Sequence, residues 1–268
     1  AGCVSQVEDR ARPTSADASA QVERVVVAMG TNLHLQVEAG SRAEALQASE
    51  AGLQALEVVT ARLSTWREDS ELSRLNRLRV VSYMNLSGAL LEDLRKARWW
   101  QRETGGAFDP AVGALVDLYQ LRDGGRWPTD QEVWSSLPHC GIDQLQVIYG
   151  NAGRRVEKLR IEAGGFGKGA GLDAAAHAIL AAGASAVTLD FGGQILRAGD
   201  HAGAGDYDIA DPRQRTRGVV RLRLESGSLA TTANSERSHR VDGMDLGHIL
   251  DPRTGRPAKD FGSITVWA

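Results

Sequence analysis

With 268 residues, 42% of them hydrophobic, and a formal net charge of −3, the chain can build one large domain or two packed lobes around a substantial core. The near-neutral charge and the lack of any long basic stretch argue against a nucleic-acid partner, and no apolar run is long enough to cross a bilayer. The six histidines never pair at zinc-site spacing, and the two cysteines, Cys3 and Cys140, do not form a disulfide framework.

In chain order, Ala1-Gly2-Cys3 resembles the end of a bacterial lipoprotein cleavage box. On that reading Cys3 carries lipid and the protein works on a membrane surface outside the cytoplasm; the plainer reading is a chance run of small residues. Residues 4–21 have no apolar period and read as a flexible tether. Val22 to Val37 is β-branched and alternating, which fits two strands broken at Met29-Gly30-Thr31. Leu46, Leu53, Leu56, Val59 and Leu63 recur at helical spacing, so 43–63 is expected to be a helix, and a second is expected from Ser87 to Glu103, ended by Gly105-Gly106. Asp109-Pro110 is expected to start a short helix through Tyr119. Leu121 to Asp130 reads as a Gly/Trp/Pro loop, and Gln131 to Leu137 as another short helix.

Beyond Leu145 the chain turns strand-rich. Strands are expected at 145–149 and 158–161 around an Asn151-Ala152-Gly153 turn, then a helix over 170–182 ended by Gly183. Further strands are expected at 186–191, 194–197, 206–210, 219–224, 228–232 and 263–268. Helices early and strands late predict an α+β fold. The tether at 1–21 and a single domain over 22–268 complete the expected organisation. Because the last residues read as an interrupted strand, the domain is expected to be truncated at its C-terminus.

Four segments carry chemistry. Gly164-Gly165-Phe166-Gly167-Lys168-Gly169 leads into a helix; its glycines allow close backbone approach, the helix start offers N–H groups, and Lys168 adds charge. That suits a pyrophosphate, although neither Walker A nor Rossmann spacing is met. Glu162 just before it is a ligand acceptor or a solvated strand-end charge. Asp190-Phe191-Gly192-Gly193 and Leu229-Ala230-Thr231-Thr232-Ala233-Asn234 are further turn-like segments. In the run from His248 to Pro257, Pro252 and Pro257 forbid a helix and Gly255 invites a tight turn. His248, Asp251, Arg253 and Thr254 there supply an acid/base, a carboxylate, a phosphate-binding fork and a hydroxyl. A polar turn between strands and a ligand loop both fit this run. Cys140 reads as a small buried hydrophobe rather than a nucleophile.

Taken in order, Met29-Gly30-Thr31, Ser64-Thr65-Trp66 with Ser70 to Asn76, Gly106 to Pro110, Glu162 to Gly169, Asp190 to Gly193, Ala230-Thr231-Thr232 and His248 to Pro257 resemble the ApbE family of FAD:protein FMN transferases, from about Val25 to the last residue. The resemblance implies an ApbE-like, T-fold-related α+β architecture with FAD in a crevice between lobes. It also implies a magnesium-dependent reaction that splits FAD, joins FMN to a Ser or Thr of an acceptor flavoprotein and releases AMP. FAD hydrolysis to FMN and AMP, and flavin binding without chemistry, are the alternatives. The same resemblance implies a setting in the bacterial periplasm or at the cell surface, anchored to the inner membrane through Cys3.

By matching position, Met29, Trp66, Ala107, Phe108, Asp109, Glu162, Lys168 and Leu250 would contact FAD, with Glu162 standing where the family commonly has Asp. Gly165 would give a backbone oxygen to Mg²⁺, the remaining ligands (an Asp and a Thr) being expected beyond Ala268. His248 and Asp251 would orient the phosphate and the incoming hydroxyl. Thr231-Thr232-Ala233 departs from the family's Thr-Ser-Gly, so that turn is expected to bend differently.

Overall fold

The computed structural model describes residues 20–201, 203–233 and 238–268. The expected lipidation of Cys3, the tether up to residue 19 and Asn234 lie outside them. The described chain divides into two compact units, each assembled from discontinuous segments. One comprises residues up to Thr60 with Lys168–Thr232 and Ser263–Ala268; the other comprises Ala61–Gly167 and Ala233–Gly262.

The first unit is organised by a six-stranded sheet, β1-β2-β6-β7-β10-β15. Its strands are β1 (Ala20–Ala28), β2 (Thr31–Ala39), β6 (Ala186–Phe191), β7 (Ile195–Gly199), β10 (Gly227–Ala233) and β15 (Ser263–Trp267). Thus Ala20 and Gln21, expected in the tether, already belong to a strand. The alternation in β2 is complete: Leu33, Leu35 and Val37 are buried while Asn32, His34 and Gln36 face out. The inward residues meet Val187, Leu189 and Phe191 of β6. They also meet one face of α1 (Arg42–Leu63) and α6 (Gly167–Ala181), through Ala45, Ala48, Leu56, Leu172, Ala175 and Ile179. The two helices pass very close. A Cβ added at Gly52 would stand 2.5 Å from Ile179, and one at Gly171 2.8 Å from Leu56.

Two-residue turns join β1 to β2 and β6 to β7. The right-handed twist of a hairpin selects turns with positive φ at both central residues. Gly192 (φ 63°) and Gly193 (φ 85°) meet this without strain, whereas Met29 (φ 44°) before Gly30 (φ 77°) does not. A two-stranded ribbon of β8 (Gly205–Ala210) and β9 (Gly218–Leu224) completes this unit. Arg197, buried in β7, ties it down by donating to Leu224 O (2.6 Å) and Gly203 O (2.8 Å). Thr231-Thr232-Ala233, expected as a turn, is instead the end of β10. Thr231 Oγ1 lies 2.8 Å from Thr265 Oγ1 of β15.

The second unit holds α2 (Glu71–Arg77), α3 (Gly88–Glu103), α4 (Gly113–Leu118), α5 (Asp130–Ser136) and a three-stranded sheet of β3 (Tyr83–Asn85), β5 (Asn151–Arg154) and β4 (Leu145–Ile148). It also has two small hairpins, β11 (His239–Val241) with β12 (Met244–Leu246) and β13 (Leu250–Asp251) with β14 (Arg256–Pro257). Ser87 and Thr129 cap α3 and α5 as their side-chain chemistry dictates; Thr129 and Glu132 form a reciprocal capping box. Leu115, Tyr119, Val133 and Leu246 form a core here, with Leu250 and Cys140 packed on it.

Three local expectations are corrected in this unit. The helix expected from Asp109 starts only at Gly113, because the Asp109 carboxylate takes the N–H of Ala111 (2.8 Å) and holds the chain in a loop. The turn expected at Asn151 lies at Tyr149-Gly150, and Asn151–Arg154 is strand β5. Residues 158–161 form no strand. Their backbone groups bond instead to the Asn76 amide, which donates to Ile161 O (2.9 Å) and accepts from Ile161 N (2.8 Å), and to Gly113 N (3.0 Å from Arg160 O).

Candidate active site

The Ser64-Thr65-Trp66 turn is built by hydroxyls. Ser64 Oγ accepts from Trp66 N and Arg67 N (3.2 Å each), while Ser64 O accepts from Ser70 Oγ and from Ser73 Oγ (3.0 Å). Ser70 also caps α2. The turn therefore cannot swing, yet Trp66 is 74% exposed. A large aromatic ring exposed on a fixed turn is suited to stack on a flat ligand.

Glu162 lies beside it. Its N–H donates to Pro110 O (2.7 Å), and its side chain is mostly out of water. Oε2 accepts from Arg122 Nη2 (2.5 Å) and from Thr65 Oγ1 (3.4 Å). Oε1 is buried and receives no hydrogen bond, although Arg160 Nη2 stands 3.5 Å away. A buried carboxylate oxygen without a donor is costly unless a ligand supplies one. Arg122 and Arg160 belong to none of the motifs in the sequence, and Thr65 only to the Ser64-Thr65-Trp66 run. Arg122 was legible there only as a cation in a glycine-rich loop, separated from Thr65 by 57 positions and from Glu162 by 40.

Phe108 is fixed by its N–H to Thr104 Oγ1 (3.0 Å), and its ring edge would be 3.1 Å from a Cβ at Gly165, which therefore stays bare. Ala107 precedes it, exposed. Asp109 is buried and accepts from Ala111 N and Ile142 N (3.1 Å), so it braces the loop from beneath. Burial pushes its carboxyl above the ordinary range.

The segment from His248 forms a bend followed by the β13–β14 hairpin. Asp251 takes Arg253 in a fork, Nε to Oδ1 and Nη2 to Oδ2, each 2.9 Å, and this bond holds its carboxyl below the usual range. Gly255 (φ 68°) lies so close to Val133 that a Cβ there would be 2.8 Å away, which docks the hairpin on the core. Leu250 packs on the same core. Burial pushes the Cys140 thiol up to about 11, as expected of an inert packing residue.

Met29 and Lys168 belong to the first unit. The methyl of Met29 packs near Gly171, and Lys168 sits in the first turn of α6. The expected glycine loop is shorter than 164–169: a turn at Gly164–Phe166 runs straight into the helix, with Gly167 N donating to Ala163 O (2.6 Å).

These elements define a mixed α+β protein with an exposed indole on a fixed turn beside a shielded, arginine-held carboxylate. The chain belongs to the ApbE family, whose model matches residues 29–268. It is 30% identical over 219 residues to the FAD:protein FMN transferase of Vibrio cholerae, covering 79% of this chain and 65% of that protein. To the FAD:protein FMN transferase of Haemophilus influenzae it is 26% identical over 255 residues, 90% of this chain and 74% of that one. This chain thus spans about two thirds of the length of such relatives. Among solved structures it is similar to the ApbE protein of Thermotoga maritima (TM-score 0.84) and the flavin transferase ApbE of Vibrio cholerae (TM-score 0.78). Each is 26% identical, over 93% of this chain and 82% of the other.

Proposed function

We propose that this chain binds FAD and transfers its FMN half to a Ser or Thr hydroxyl of an acceptor flavoprotein, releasing AMP. Family membership supports the reading, and the name carried by its relatives supplies the reaction. The observation that carries it in this chain is the fixed, exposed Trp66 beside the donorless Glu162 Oε1, a platform and an acceptor for a planar N–H-bearing ring. Phe108, Ala107 and the bare Gly165 extend that surface; Leu250 contacts the nucleotide from the hairpin, and Asp109 acts as the brace beneath. In the first unit, Met29 and Lys168 are the proposed contacts, Lys168 with phosphate.

The hydroxyl oxygen of the acceptor attacks the FMN phosphorus in line. The bond from that phosphorus to the bridging oxygen breaks, AMP departs with the oxygen, and the hydroxyl proton passes to a base. His248 is the proposed base. Asp251 is a poorer one, because Arg253 stabilises its charged form; it holds Arg253 in place instead. For magnesium, Gly165 offers one carbonyl, and among the described residues no three His, Cys, Asp or Glu side chains gather. A hard cation takes six or more oxygens, so the described residues alone do not fit it. Anchoring through Cys3 at the outer face of a bacterial inner membrane is part of the same proposal.

The test is mass spectrometry of a Thr-bearing acceptor incubated with this protein, FAD and Mg²⁺. An added FMN less one water is expected, and is lost in His248→Ala. AMP release with the acceptor unmodified would favour hydrolysis; FAD left intact would leave only binding.

A further inference from the structure

We infer that Arg122 is a positioning residue of the flavin site, holding the ring platform and the acceptor carboxylate in one rigid group; this rests on the flavin reading above. One guanidinium makes four contacts. Nη2 donates to Glu162 Oε2 (2.5 Å) and to Thr65 Oγ1 (2.9 Å), Nη1 donates to Thr65 O (3.3 Å), and Cζ lies 4.7 Å from the centre of the Trp66 ring. Arg122 and Glu162 keep only 20% and 15% of their side-chain surface in water, so the pair is shielded enough to hold its geometry.

The consequence falls on the other carboxylate oxygen. With Oε2 fixed by Arg122 and Thr65, the carboxylate cannot rotate, and Oε1 stays buried with no hydrogen bond and Arg160 Nη2 3.5 Å away. Arg160 could have taken that oxygen, but Asp117 Oδ2 draws it away through a 2.5 Å bond from Nη1. Arg122 therefore takes Oε2 and leaves the hydrogen-bonding capacity of Oε1 unfilled. At the same time the guanidinium lies against the Trp66 ring, which fixes the indole plane relative to Oε1. A lysine here would supply charge at one point but neither the fork nor the stacked plane.

The experiment measures FAD affinity by flavin fluorescence for the parent protein, Arg122→Ala, Arg122→Lys, Glu162→Gln and the double variant Arg122→Ala/Glu162→Gln. Arg122→Ala is expected to weaken FAD about tenfold and to lower the thermal midpoint, because the shielded Glu162 carboxylate loses its partner; Arg122→Lys is expected to weaken FAD nearly as much with a smaller fall in midpoint. In the double variant the losses should fall well short of multiplying, because both act through one oxygen. Tryptophan emission should also change in Arg122→Ala before any ligand is added, at a temperature well below the variant's midpoint, a readout that mere loss of stability would not give there. FAD binding to the parent with equal affinity for Arg122→Ala overturns this inference and leaves the flavin reading standing. A parent that binds no FAD overturns both. Should Arg122→Ala fail to fold, Arg122→Lys decides alone: parent-like affinity overturns the inference.

Discussion

In the unit built on the six-stranded sheet, the residues expected to meet ligand are placed by backbone turns only a few residues long. Met29-Gly30 and Gly192-Gly193 are fixed by hairpin pairing on either side, and Lys168 by the start of a helix. In the other unit the candidate site is placed by side chains that reach across 40 to 97 positions, from Arg122, Thr65 and Asn76 to the segment around Glu162. In the first kind, changing one side chain leaves its neighbours in place so long as the turn survives. The second fails as a group, because each member is held by the others.

Substitutions that break one region and spare the other sharpen this contrast. The largest effect is expected for Gly113→Ala, whose Cβ would stand 2.3 Å from Arg160 Cβ and 2.9 Å from its carbonyl oxygen. That contact displaces the backbone leading into Glu162. It should cost about 3 kcal/mol in urea unfolding and weaken FAD at the same time.

Asp109→Ala comes next. It strips the acceptor from Ala111 N and Ile142 N, and about 2 kcal/mol of stability should go with it. The burial that raises the Asp109 carboxyl also predicts a pH signature. The folded state holds this proton more tightly than the unfolded chain, so stability falls as pH rises from near 3.8 through the higher folded value. Asp109→Asn should flatten that descent.

In the first unit, Met29→Asn should change stability little: Asn accepts positive φ more readily than Met, but the side chain that packs on the core is lost, and loss of that chain weakens FAD. Unchanged FAD affinity would remove Met29 from the site.

The smallest effect belongs to Glu132, whose carboxyl Arg126 and Thr129 hold down to about 2. The support it lends is complete above about 4.5 and is lost as pH falls towards 2, so Glu132→Gln should show a shallower acid limb in thermal melts and no change in FAD affinity.

The same division explains what could be read from the chain. Hairpins with glycine at their turns, the alternation of β2, the caps Ser87 and Thr129 and the glycine stop after α6 are local codes, and their elements were legible within a few residues. The irregular run before Glu162 was not. Its composition suits a strand, but Asn76 and Gly113 take its backbone groups, a competition that involves residues as many as 85 positions away. Asp109 misled for a related reason: Asp-Pro marks a helix start locally, yet its carboxylate serves a loop and Ile142. The contacts proposed for the second unit come from resemblance, whereas the arginine that holds Glu162 and Thr65 was not legible, since no local pattern distinguishes Arg122 from any loop cation.

The most direct measurement is a crystal structure of the protein soaked with FAD. The flat ring is expected against the Trp66 indole, with a ring N–H 2.7–3.2 Å from Glu162 Oε1, about the usual hydrogen-bond range. Clear density for FAD elsewhere, with Trp66 and Glu162 untouched, would contradict the account.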